Sequence, residues 1–196
     1  DDMARYKAFD IDDAIDRAID LFWQHGYEKT SLQDLLDHLE IGRASFYNAF
    51  EDKHNLFMLA LHRYLERTDE TTIIKTLQME DSHLATIETI FQQVIESLAN
   101  DPLQRGCFII NSAIEVAPTD EEVAAFVADH AQRCEDALYD TLRRAQGMQE
   151  IQQKLDARAT ARFLLSTIRG MRVTGRMTHD RRVFEDIAVT ALAILQ

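Results

Sequence analysis

The chain has 196 residues, 46% of them apolar and 28% charged, and a formal net charge of −13. That length buries a real core as one domain or two small ones. So acidic a chain is excluded from diffuse nucleic-acid binding, because polyanions repel it at long range and phosphates are neutralised by Lys and Arg, so any such contact has to be local.

Two prolines and six glycines leave few turn signals, and Ala, Leu, Ile, Glu, Gln and Arg dominate the segments between them. The fold class expected is therefore all-α. Residues 11–25 place Ile11, Ile15, Ala18 and Phe22 on one helical face, with Asp10 as N-cap and Gly26 at the end. A second helix over 30–39 turns Leu32, Leu35, Leu36 and Leu39 inward, with Ser31 and Asp34 at capping-box spacing. A third, Gly42 to Phe50, buries Phe46, Ala49 and Phe50 and shows Arg43, Ala44, Ser45, Tyr47 and Asn48 on its other side. A fourth runs from Asp52 and ends near 69–72. Five more follow at 82–99, 103–116, 119–146, 156–178 and 180–195, with Thr119 and Glu122 as a capping box for the third of these, giving nine helices in all.

Two short helices joined by a tight turn, the second displaying small and polar side chains, describe a helix-turn-helix. A reading helix needs small residues to approach base edges, a long donor for a guanine edge, and hydroxyls or amines at its margins for phosphates. Ala44 and Ser45 meet the first need, Arg43 the second, and Ser31, Tyr47 and Lys53 the third. The run AIDLFWQHGYEKTSLQDLLDHLEIGRASFYNAFEDKHNLF, residues 18–57, resembles the DNA-binding domain of TetR-type transcriptional regulators, through the F-x-x-x-G-Y close of its first helix, Thr30-Ser31, and the Phe46-Tyr47…Phe50…Lys53 spacing. The resemblance implies a homodimeric, repressor-like protein on double-stranded operator DNA, with residues 1–50 as DNA-binding domain, 51–196 binding a small-molecule effector, and the last two helices, within 156–195, as dimer interface. On that pattern Arg43, Ala44, Ser45 and Asn48 match base-reading positions, and Thr30, Ser31, Tyr47 and Lys53 match the rest of the DNA contact set. One position departs from it: Glu40 stands where such turns place glycine, and because a non-glycine residue at positive φ is costly, the turn either adopts another geometry or bears strain, with Gly42 as relief two residues later.

In the C-terminal part, Asn111, Ser112 and Glu115 sit among Phe108, Ile109, Ile110 and Ile114. Polar groups on an apolar helix face either anchor a ligand or bridge neighbouring backbone, and both readings stand. Phe108, Asn111, Ser112 and Glu115, with Leu61, Tyr64, Phe91, Phe126 and Phe163, make the expected pocket set of nine. Cys107, near a helix start and beside Arg105, is either a redox or electrophile sensor or a small buried hydrophobe. His130 and Cys134, one turn apart, have no third ligand in view, so no metal site and no cofactor are assigned. Arg158, Arg162, Arg169, Arg172 and Arg176 form a stripe expected to be solvated or ion-paired. Two widely spaced cysteines, no apolar leader and no run of roughly 20 apolar residues predict a reducing, cytoplasmic location without membrane contact. The seven histidines are scattered and no serine sits in a nucleophile elbow, so an all-α enzyme or small-molecule carrier is the alternative function and a non-enzymatic regulator the expected one.

Overall fold

A computed structural model describes residues 9–67, 74, 76–77 and 82–196. Nine α-helices hold most of them: α1 (Ile11–His25), α2 (Leu32–Leu39), α3 (Arg43–Phe50), α4 (Lys53–Arg67), α5 (His83–Ala99), α6 (Phe108–Glu115), α7 (Glu121–Gly147), α8 (Ala157–Thr174) and α9 (Arg181–Leu192), closed by a 3-10 turn, Ala193–Leu195. No strand occurs among the described residues. The end expected for the fourth helix at 69–72 lies outside them.

The chain divides into two compact units, the first reaching Glu66 and the second running from Arg67. The first therefore extends beyond the boundary expected at 50, because α4 completes its core. Phe57 of α4 stacks edge-on against Phe22 of α1 at 5.1 Å, and Tyr64 meets Trp23 at 5.1 Å. Arg63 of α4 also grips Asp16 of α1 through two hydrogen bonds of 3.1 and 3.3 Å.

In the second unit, α5, α7, α8 and α9 enclose one apolar cluster that includes Phe91, Ile95, Leu138, Leu142, Leu164, Ile168 and Phe184. Helix boundaries follow the caps. Asp156 and Asp180 open α8 and α9 through backbone N–H groups of the first turn. Two starts differ from expectation. The helix predicted from 103 begins at Phe108, because Gln104 and Gly106 take positive φ and the Asp101 carboxylate accepts from the N–H of Arg105 at 2.6 Å, closing a turn. The helix predicted from Thr119 is capped instead by Asp120, which accepts from the N–H of Val123 at 3.0 Å, while the Thr119 hydroxyl donates back to Val116. No helix among the described residues is long and apolar enough to cross a membrane.

Candidate DNA-reading face and ligand cavity

The α2–α3 segment is fixed from both ends. Ser31 accepts from the N–H of Asp34 at 3.1 Å, and the Asp34 carboxylate accepts from the Ser31 N–H at 2.8 Å and its hydroxyl at 2.6 Å, a complete capping box. These bonds hold the Asp34 carboxyl below its usual range. At the other end of α2, Glu40 takes the left-handed conformation, φ 57° and ψ 39°, so of the two alternatives the turn keeps the geometry that favours glycine. Arg17 of α1 covers that helix end: its guanidinium donates to the carbonyls of Leu39 (3.4 Å) and His38, and lies 3.7 Å from the Glu40 carboxylate. The His38 and Leu39 carbonyls thus share one cation with the turn residue itself, while the Leu36 carbonyl is met by backbone, accepting from the N–H groups of Glu40 and Ile41.

From α3, Phe46 and Phe50 point wholly into the core with rings 5.5 Å apart. That anchors the opposite side outward. Arg43, Ala44, Tyr47 and Asn48 are exposed and Ser45 half-buried. Lys53, half-buried, holds its ammonium 4.1 Å from the centre of the Tyr27 ring, which leaves one charge at the margin of the face. Thr30 departs from its expected DNA role: it is 1% exposed and its hydroxyl donates to the Gly26 carbonyl at 2.6 Å, tying down the end of α1.

The second unit holds a cavity of about 350 Å³ bounded by α6, α7 and α8. Ile109, Ile110, Ala113 and Ile114 come from α6, Val127, Ala128, His130, Ala131 and Cys134 from α7, and Leu165, Ile168, Arg169 and Arg172 from α8. Three alanines, 113, 128 and 131, leave the space. Ile114, Ala128 and Arg169 are exposed and form a mouth; Ile109, His130, Cys134, Leu165, Ile168 and Arg172 are buried and form the floor. His130 Nε2 lies 3.5 Å from the Cys134 sulfur.

None of the nine side chains expected to bind ligand lines this cavity. Leu61 and Tyr64 belong to the core of the first unit, and Phe91 to that of the second. Phe108 is buried on α6, and Ser112 donates back to the Phe108 carbonyl at 2.8 Å. Asn111 donates to the Arg105 carbonyl at 2.9 Å, so both polar residues take the backbone-bridging alternative. Glu115 and Phe163 face outward and Phe126 is half-buried. Cys107, the N-cap of α6, is 1% exposed, as a small buried hydrophobe would be. No cluster of three or more His, Cys, Asp or Glu suited to a metal occurs among the described residues.

The arginine stripe divides. Arg158 pairs with Glu135 (3.1 Å) and Asp136 (2.7 Å), and Arg162 with Glu135 (3.0 Å), as expected of ion-paired surface. Arg169 and Arg172 instead line the cavity. The missed signal is spacing: Arg172 follows Leu165 and Ile168 at i+7 and i+4, on the inward face of α8.

Residues 14–59 match the family model described as bacterial regulatory proteins, tetR family, and residues 84–191 match a tetracyclin repressor-like C-terminal domain. The chain is 36% identical, over 98% of its length and 100% of the relative's, to the uncharacterized HTH-type transcriptional regulator YezE of Bacillus subtilis. The chain belongs to the TetR family. Among its TetR relatives is the HTH-type transcriptional repressor ComR of Escherichia coli, 30% identical over 97% of this chain and 90% of that one. A cysteine-substituted form of the TetR family regulator CifR, solved with 26-base-pair double-strand operator DNA, superposes with a TM-score of 0.86 at 26% identity, covering 98% of this chain and 100% of that one. TetR membership makes the chain a DNA-binding transcriptional regulator rather than an enzyme.

Proposed function

We propose that this regulator is a homodimeric repressor that leaves a palindromic operator when a small molecule enters the cavity of its C-terminal unit. The observation that carries the reading is a division of labour: α3 turns Phe46 and Phe50 inward and its small and polar side chains, with Tyr47, outward, while a ligand-sized cavity lies in a separate compact unit. Arg43 is the donor for a guanine edge, Ala44, Ser45 and Asn48 read beside it, and Ser31, Tyr47 and Lys53 take phosphates. Supporting a dimer through the last two helices, Phe163 and Val173 of α8 and Val189 of α9 are exposed apolar side chains, with Met177 beyond α8 and Ile194 in the closing turn. A dimer sets two copies of α3 on half-sites about 34–36 Å apart or a multiple of it. A ligand that binds better to the form with other head spacing shifts the population off DNA.

The test is selection of bound duplexes from a randomised pool whose insert matches the 26 base pairs of the CifR operator DNA. The unaltered chain should enrich an inverted repeat. Arg43→Ala should relax one position of each half-site by about 1–3 kcal/mol, and Tyr47→Ala should weaken binding evenly across sequences. An unenriched pool, or binding indifferent to salt, refutes the reading.

A further inference from the structure

The cavity is apolar over most of its wall yet carries its charge with one sign. Arg172, 4% exposed, is part of its floor, Arg169 stands one turn away at its mouth, and no carboxylate is among the lining residues. We propose that the cavity takes a monoanion with an apolar body, a short-chain or aryl carboxylate, held by its carboxylate at Arg172. This rests on the ligand-responsive reading above and gives that reading its ligand class.

Three features carry it. First, the guanidinium fork matches a carboxylate bidentately, and the attraction is strong where apolar walls exclude water. An ammonium in the same place meets two like charges. Second, Ile109, Ile110, Val127, Leu165 and Ile168 supply the apolar wall for the body. The volume, about 350 Å³, is at the small end of the range of roughly 300–1,000 Å³ for ligand sites, room for one short chain or one ring and not for a long acyl tail. Third, Arg172 joins the cavity to the loop that leads into α6. Its backbone oxygen would stand 2.9 Å from a Cβ at Gly106, the residue before the α6 N-cap, and Arg176, one turn on, donates to the Arg105 carbonyl at 3.5 Å. The residue whose side chain floors the cavity therefore also packs, through its backbone, against the loop before α6.

The experiment titrates the full chain by calorimetry with octanoate, octanol and octylamine, and follows release of the selected operator in parallel. Octanoate is expected to bind at least about tenfold more tightly than octanol, the value of a charge-assisted hydrogen bond, and octylamine more weakly still. Arg172→Met should bring octanoate to the level of octanol, Arg172→Lys should retain part of the preference, and Ala131→Phe, which fills the cavity, should abolish binding of all three. Arg169→Gln, at an exposed position, should weaken octanoate and not octanol, and serves if Arg172→Met does not fold. Equal binding of octanoate and octanol, an unchanged preference in folded Arg172→Met, or unchanged binding in Ala131→Phe overturns the proposal. Octanol binding and releasing the operator as well as octanoate leaves the ligand-responsive reading standing and sinks the anion; octanoate binding with the stated preference but no release sustains the anion and sinks the release.

Discussion

Gly106→Ala tests whether the loop before α6 is held as described. Gly106 has φ +68°, and a Cβ there would lie 2.9 Å from the Arg172 carbonyl oxygen and 3.0 Å from Cγ of Arg176. The left-handed conformation costs an alanine about 1–2 kcal/mol. Because the nearer clash is with backbone, α8 or the loop has to shift, an overpacking cost of about 1–3 kcal/mol. The smaller conformational entropy of unfolded alanine returns about 0.4–1 kcal/mol. A net destabilisation of about 1–4.6 kcal/mol lowers the melting temperature by roughly 2–18 °C for a chain of this size. Gly147→Ala is the matched control: nothing lies within 4 Å of its Cβ position at the end of α7, so it should stabilise by up to about 1 kcal/mol. Thermal melts followed by circular dichroism measure both. If Gly106→Ala melts with the unaltered chain, the positive φ is not enforced and the loop is not braced on Arg172.

Two further outcomes follow from the surfaces of the second unit. Phe163→Glu, at a side chain 47% exposed on α8, should leave the melting profile intact and halve the mass seen by sedimentation equilibrium; an unaltered dimer mass moves the interface elsewhere. The Asp136 carboxyl is held below its ordinary value, first by its hydrogen bond from Arg158 and next by Gln132. A folded value below the unfolded one contributes stability that is complete above the unfolded value, about 3.9, and lost as pH falls through the folded one. Urea midpoints should therefore separate the unaltered chain from Arg158→Gln at neutral pH and converge in acid; a gap that persists at pH well below 4 refutes the assignment.

What was legible in the sequence was whatever a single helix decides for itself. Asp10 caps α1, and Ser31 and Asp34 close on each other; at Glu40 the sequence marks a departure from glycine without deciding the geometry, and the structure keeps the left-handed φ there all the same. Where two neighbouring residues compete for one cap, composition could not choose: Asp120 holds the N–H of Val123 because Thr119 has turned its hydroxyl back to Val116. The cavity was less legible still. Periodicity tells which side chains face inward but not where three inward faces fail to meet, and here that place is made by alanines at 113, 128 and 131, residues with no chemistry to notice. Aromatics such as Phe91 attract attention as pocket walls, yet their bulk is what fills the core. By charge Arg172 belongs with its basic neighbours in the stripe, whereas Leu165 and Ile168 set its direction.

The length of α3 bears on how an operator is found. Eight residues rise about 12 Å, no more than the width of a major groove, so one head touches only a short word of bases. A short word recurs by chance throughout a genome that offers about 10⁶–10⁹ competing sites. In the proposed dimer the two words multiply rather than add, and each wrong base costs about 1–3 kcal/mol whichever copy meets it. The search is then a coincidence detector: neither head needs to hold DNA firmly, and the acidic remainder of the chain keeps single-headed encounters brief.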